Sequence, residues 1–243
     1  MNFTGKRVVI AGGSKGIGRG CALAFAAAGA RVSICARGEA ALLATRAELG
    51  DGGHAAVCDL GDGPAVTAYI EAAAAALGGI DVLVNNASGS GAQDTEAGWE
   101  AGLNVDVLAT TRASRAAVPH MAAGASIINV SSISGFRPSL RTPAYAAVKA
   151  LLINYTQSQA AALAPKGIRV NGVAPGSIEF PGGSWEARRT SDPALYERIL
   201  ASIPFGRMGT PQEVANVVLF LASPLAGWVT GHTIVVDGGQ LLG

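Results

Sequence analysis

The chain has 243 residues, 18 of them basic and 17 acidic, for a formal charge of +1; 49% are hydrophobic and 33 are glycine. So even a charge balance leaves no electrostatic footprint for DNA, RNA or an anionic membrane, and so apolar a composition excludes disorder. The length fits one α/β domain spanning residues 1–243 around one large buried sheet.

In chain order, the first short β-branched run is RVVIA at 7–11. It is followed at once by AGGSKGIGRG, with Gly12, Gly16 and Gly18, and then by a helical run from Arg19. Strand, glycine turn and helix in succession are the context in which backbone N–H groups and a helix N-terminus cradle a pyrophosphate. The spacing of these glycines differs from the usual dinucleotide fingerprint, and an ordinary turn also fits it. The second run, RVSICA at 31–36, ends on Ala36 and Arg37, where an NAD site places an acid for the ribose 2′-hydroxyl. With Lys15 in the glycine turn, two cations can meet a 2′-phosphate, which points to NADP(H); solvated surface charge is the plainer alternative.

HAAVCD at 54–59 is the third run. Its end, Asp59 and Leu60, borders the position of an adenine ring, although Asp59 or Asp62 also suits a helix N-cap. DVLVNN at 81–86 opens the stretch NNAS, Asn85 to Ser88, whose amides can tie neighbouring strands together or touch the adenine ribose. ASIINV at 125–130 leads into Ser131 and Ser132. TPAYAAVKALL at 142–152 then places Tyr145 and Lys149 four residues apart, on one face of a helix. IRVNGVA at 168–174 precedes APGSI, and TIVVD at 233–237 is the seventh run. Several of these runs are apolar throughout, as strands covered on both faces are, and the intervals between them are long enough for crossover helices. The predicted architecture is an open, doubly wound parallel sheet of seven strands with helices on both faces. Alanine tracts at 24–28 and 72–76 fall inside helical intervals and read as packing. The irregular segment 176–206 follows a strand end and is expected to overhang the ligand crevice as a substrate loop.

Cys21, Cys35 and Cys58 each sit in apolar sequence and read as reduced, buried thiols; His54, His120 and His232 are scattered, without metal-ligand spacing. The opening MNFTGKRVVIAGG lacks the apolar core of a signal peptide, and VANVVLFLA is cut off by Ser223 and Pro224. A soluble cytoplasmic protein with no membrane or nucleic-acid partner is expected.

The glycine turn, the Asn-Asn-Ala run and the Tyr-x-x-x-Lys pair, in this order, resemble the classical short-chain dehydrogenase/reductase family. The resemblance runs from Lys6 to VDGG at 236–239 and implies a Rossmann-type fold. It implies Asn104 in GLNVD, Ser132, Tyr145 and Lys149 as the catalytic set, with Ser131 the neighbouring candidate. The cofactor contacts it implies are Gly12, Ser14, Lys15, Gly16, Ile17 and Gly18 in the turn, Arg37, Asp59, Leu60, Asn86 and Ala87 beyond it, and Tyr145, Lys149, Pro175, Gly176 and Ile178 beside the nicotinamide. A homotetramer is a further implication. Ala11, where the family often has threonine, Ser88, where it has glycine, and Val148, where it often has serine, are departures.

The chemistry of the set is consistent with this. A phenol with a reference pKa of about 10 is a poor base at neutral pH unless phenolate is stabilised, and an adjacent ammonium does that. Tyr145 then donates a proton to a developing alkoxide while Ser132 hydrogen-bonds the same oxygen. Asn104 is assigned the support of a water that resupplies the proton through Lys149. Phe136, Leu140, Phe180 and Trp185 are candidates for an apolar substrate pocket, with core packing as the alternative, and Trp99 for either. Arg137, Arg141, Arg188 and Arg189 suit an anionic group or a solvated, ion-paired face. The expected function is NADPH-dependent reduction of a ketone, either a 3-oxoacyl thioester or a small or cyclic aliphatic ketone. The alternatives are an NAD(P)-dependent alcohol or sugar dehydrogenase and a non-catalytic nucleotide-binding scaffold.

Overall fold

The structure is a computed structural model and describes residues 1–91 and 93–243. Among these, seven strands form one parallel sheet: β1 (Arg7–Ala11), β2 (Arg31–Ala36), β3 (His54–Val57), β4 (Val82–Asn85), β5 (Ser126–Val130), β6 (Arg169–Pro175) and β7 (Thr233–Val236). Their spatial order is β3-β2-β1-β4-β5-β6-β7. All seven runs expected from β-branched content are strands, most of them a residue or two shorter than expected. At two of the trimmed ends the ladder bonding carries on, through Cys58 N–H to the Ala36 carbonyl and Asn86 N–H to the Ala11 carbonyl.

The strand pleat divides the core in two. Val8 and Ile10 of β1, Val32 and Ile34 of β2, and Val82 and Val84 of β4 face one side. Val9, Ala11, Cys35 and Leu83 face the other. The first side is covered by α1 (Gly16–Ala27), α2 (Glu39–Glu48) and, later in the chain, a helix over Pro211–Ala222. The second is covered by α3 (Gly63–Leu77) and, after a short α4 (Glu96–Ala101), by α5 (Ala109–Ala117) and α6 (Pro143–Leu163). Because both faces are buried, residues such as Ile10, Ile34, Leu83 and Ile127 are wholly shielded from water, each burial contributing about 1.5–3 kcal/mol. The segment expected to be an irregular loop holds two short helices, α7 (Ser184–Ser191) and α8 (Pro193–Ala201), the second capped by Asp192. The Pro211–Ala222 helix, α9, begins with a capping box of Thr210 and Glu213.

All three cysteines are free and buried, and burial pushes the Cys21 thiol up to about 12, so it is inert at neutral pH. No helix among the described residues is long and apolar enough to cross a membrane.

One polar seam crosses this apolar interior. Asn85 Nδ2 donates to Asn129 Oδ1 at 2.9 Å and to Ser114 Oγ at 3.1 Å. Asn129 Nδ2 in turn donates to Thr156 Oγ1 at 3.0 Å and Gln159 Oε1 at 3.2 Å. Thus β4, β5, α5 and α6 are joined by one buried network, and Asn129 is the member common to its two halves. Replacing Asn129 with Leu takes partners from buried polar groups on two other elements, β4 and α6. Urea unfolding of Asn129→Leu is expected to show a loss of about 2–4 kcal/mol, against well under 1 kcal/mol for an exposed control such as Gln212→Leu.

Candidate active site

The C-terminal ends of β1, β2, β4 and β5 open onto one crevice. Its centre lies where the chain order reverses between β1 and β4, the position at which open α/β sheets bind ligands. The glycine turn closes one side of it. Gly12 has φ +88° and Gly16 φ +53°, backbone that L side chains rarely adopt. Gly18 is required for a different reason, since a Cβ there would run into the Gly12 carbonyl oxygen. Asn86 Nδ2 donates to that same carbonyl at 2.7 Å, and the Ala87 backbone packs on Gly12, so the Asn-Asn-Ala run braces the turn. Two of the departures noted in the sequence lie at this brace: Ala11 is buried in the ladder, and the Ser88 hydroxyl accepts a local bond from Ser90 N–H.

Behind the turn, α1 begins at Gly16. Lys15 at its N-cap makes no side-chain cap, and no acid stands in the first turn, so the first N–H groups and the positive helix end stay available to an anion. Ile17 packs on the core, and the Ser14 carbonyl accepts from Thr45 Oγ1 at 3.1 Å. Lys15 and Arg37 are both exposed and form no ion pair among the described residues. These features fit the phosphates of a nicotinamide dinucleotide.

Across the crevice, Pro143 at the first turn starts α6, and Tyr145 and Lys149 lie on its first two turns. Lys149 Nζ is 5.5 Å from the centre of the Tyr145 ring. The two serines after β5 have separate tasks. Ser131 Oγ donates to the Lys149 backbone carbonyl at 2.8 Å, which fastens strand end to helix. Ser132 Oγ accepts from Ser134 N–H at 3.1 Å, which leaves its own O–H free to donate.

Asn104 is not brought to this group. It is exposed on a π-helical turn, Gly102–Leu108, and its carbonyl accepts the bond from Ala109 N–H that widens the turn. Asp106 faces Lys149 instead, with Oδ1 2.8 Å from Nζ and both side chains almost fully buried. Burial alone would lower the Lys149 pKa, but the charges of Tyr145 and Asp106 outweigh it and hold the ammonium above the ordinary lysine value. The signal for Asp106 was the acid at the end of the same GLNVD stretch together with the need of a buried lysine for a counter-charge.

Other expected contacts divide. Asp59 is exposed and closes an Asx turn on Gly61 N–H at 2.9 Å, while Asp62 takes the N-cap of α3. Leu60 and Ile178 turn their side chains into the core. Pro175 ends β6, and Gly176 packs against Asp237 and Gln240, with Ser177 N–H donating to Gln240 Oε1 at 2.9 Å, so the C-terminal segment holds this turn from below. The proposed apolar pocket does not assemble. Leu140 is fully exposed, Phe136 half so, and Trp185 stacks under Arg188 at 5.0 Å. Trp99 is tied to Asp94 at 2.9 Å. Phe180 covers Gly16, where a Cβ would come within 2.6 Å of its ring, so it bears on the phosphate turn. Arg189 approaches Glu179 at 3.6 Å, the ion-paired surface reading, and Arg137 donates to the Gln240 carbonyl at 3.5 Å.

A doubly wound sheet with a glycine turn and a Tyr-Lys pair at its switch point defines a nucleotide-dependent oxidoreductase class. The family model described as Enoyl-(Acyl carrier protein) reductase matches residues 11–240. Isoepoxydon dehydrogenase patN of Penicillium expansum is 36% identical over 98% of this chain and 96% of its own. The 3-oxoacyl-[acyl-carrier-protein] reductase FabG of Vibrio cholerae is 34% identical over the full length of both chains. A short chain dehydrogenase from Burkholderia cenocepacia J2315, solved in complex with NADP, superposes with a TM-score of 0.91 at 34% identity, covering 99% of this chain and 100% of its own. The chain belongs to the short-chain dehydrogenase/reductase family and is an oxidoreductase.

The Gly12 to Gly18 approach gives a direct test. Gly18→Ala sets a methyl group against a backbone carbonyl that Asn86 already holds, so relief requires the turn itself to open. NADPH fluorescence titration is expected to show at least tenfold weaker binding than in the parent, while far-UV circular dichroism shows the sheet and helices retained.

Proposed function

We propose that the chain is an NADPH-dependent reductase that delivers hydride to a ketone carbonyl, with Tyr145 as the proton donor. The observation that carries this is the placing of Tyr145 and Lys149 on α6 beside a free Ser132 hydroxyl at the end of β5. The reduced cofactor, when bound, supplies the hydride. Ser132 donates a hydrogen bond to the carbonyl oxygen and orients it. As negative charge builds on that oxygen, Tyr145 gives up its proton to it, and the phenolate left behind is stabilised by the Lys149 ammonium. Lys149 also has a donor to offer the nicotinamide ribose. The turn from Gly12 to Gly18 and the first N–H groups of α1 would hold the pyrophosphate, with Lys15 and Arg37 on the 2′-phosphate.

The cofactor choice is supported by Arg37 standing directly after β2, where an NAD site would place an acid, and by NADP in the Burkholderia neighbour. The favoured substrates are 3-oxoacyl thioesters and small or cyclic ketones. A 3-oxoacyl-[acyl-carrier-protein] reductase and an isoepoxydon dehydrogenase among its relatives support these classes. Residues 1–243 are taken as one domain, with α7 and α8 forming the part that meets substrate.

Two measurements test this reading. In a panel of ketones, thioesters and alcohols, Tyr145→Phe is expected to lose at least about 100-fold in kcat with NADPH affinity unchanged. A parent protein inactive on every carbonyl would instead favour the nucleotide-binding scaffold. The double variant Lys15→Ala, Arg37→Ala is expected to raise KM for NADPH at least tenfold and leave that for NADH nearly unaltered; turnover with NADH and none with NADPH in the parent sinks the cofactor assignment.

A further inference from the structure

The ammonium at the centre of the site is not free. Lys149 is 3% exposed and Asp106 1%, and they approach to 2.8 Å. Asp106 is itself anchored, because its Oδ2 accepts from Gly89 N–H at 2.7 Å in the loop after β4. Its Oδ1 has no other hydrogen-bond partner among the described residues. A second Lys149 N–H reaches the Val130 carbonyl at 3.2 Å, and of the three ammonium donors one is left for ligand.

We propose that Asp106 is a positioning residue: it fixes Lys149 from outside the substrate crevice and offsets its charge, so that Tyr145 keeps its proton to higher pH than a lone ammonium would allow. The inference rests on the reading of Tyr145 as proton donor. An isolated ammonium acts on the phenol as a full charge. With a carboxylate 2.8 Å from Nζ, the pair carries no net charge, and its pull on a phenolate is that of a dipole, which falls off faster with distance. Both groups are out of water, so solvent does not blunt the effect. Among the described residues no further charge acts on Lys149. The groups acting on Lys149 are Tyr145 on its own helix and Asp106 on the π-helical turn, while β5 contributes the Val130 carbonyl and the serines and the loop after β4 contributes Gly89 N–H, all neutral. Reduction needs the protonated phenol and oxidation needs the phenolate. Asp106 therefore extends the pH range of ketone reduction upward and moves the onset of alcohol oxidation to more alkaline pH, without altering the overall equilibrium.

The test is phenolate difference absorbance of the whole protein with NADP⁺ bound, recorded against pH, with Tyr145→Phe identifying the Tyr145 transition. In Asp106→Asn that transition is expected about one pH unit lower, and the rising limb of alcohol oxidation is expected to follow it. A transition that stays in place or moves up, in a variant with parental thermal stability and cofactor affinity, overturns the proposal. Asp106→Ser, small and neutral, carries the same test if the asparagine variant does not fold. Failure of both to fold assigns Asp106 to stability alone and overturns it too. A Tyr145→Phe protein that still turns over overturns the reading of Tyr145, whatever the titration gives. A Tyr145-dependent enzyme whose transition does not move overturns the role of Asp106 alone.

Discussion

A helix laid on a sheet by apolar contact alone can slide by a residue at little cost, because one methyl replaces another. The amides of Asn85 and Asn129 remove that freedom. Asn129 bonds Asn85 on the neighbouring strand and both Thr156 and Gln159 on α6, and each bond is out of reach of water. A shift of α6 along β5 would leave several buried polar groups unpaired at once, at a cost that approaches the net stability of a domain. The Tyr145 and Lys149 side chains extend from the N-terminal end of the same helix. Ser131, just after β5, pins that end by its bond to the Lys149 carbonyl, so the two ends of α6 are held by different residues, Asn129 in the strand and Ser131 beyond it.

With α6 fixed, the π-helical turn sets what Lys149 meets. A turn closed by i to i+5 bonds is wider than an α-turn and advances the side chains that follow. Asn104 is left in solvent by it, while Asp106, two residues on, is buried against Lys149. Gly102 lies under Val148, where a Cβ would come 3.1 Å from a Val148 methyl, and so the π turn and α6 pack closely at this point. Val148, one of the departures from the family pattern, thus acts as a packing contact.

The strands could be read from the sequence because both sheet faces are covered: several of the runs are apolar throughout, and helical intervals separate them. The glycine turn was equally open, since its function resides in backbone conformation that only glycine at 12 and 16 adopts readily. Asp106 was not found, because choosing between residues 104 and 106 depends on the local helical pitch, and nothing in GLNVD declares a π turn. Phe180 is a candidate for either a pocket wall or core packing in the sequence, because large apolar side chains in a loop after a strand end suit both. Its contact with Gly16 joins positions far apart in the chain, and only the packing of the loop onto α1 decides it. Ile178 and Leu60 had been placed by their neighbourhood to motifs, whereas a side chain at a strand end has two faces to choose from, and both chose the core.

The three cations proposed for the site show how burial dictates what a charge can do. Lys15 and Arg37 stand in water and form no ion pair among the described residues, a state that costs little and leaves each open to an anion, with an attraction that salt weakens. Lys149 is buried, which alone would lower its pKa, and the charges of Tyr145 and Asp106 together outweigh that and keep it an ammonium. Asp106 adds to the hold on that charge, and the same carboxylate limits how strongly it acts on Tyr145. An asparagine at that position would impose neither effect. A single acidic residue on a widened helical turn therefore couples two properties of the site, the permanence of the lysine charge and the acidity of the tyrosine, so that one cannot be changed by mutation at 106 without changing the other.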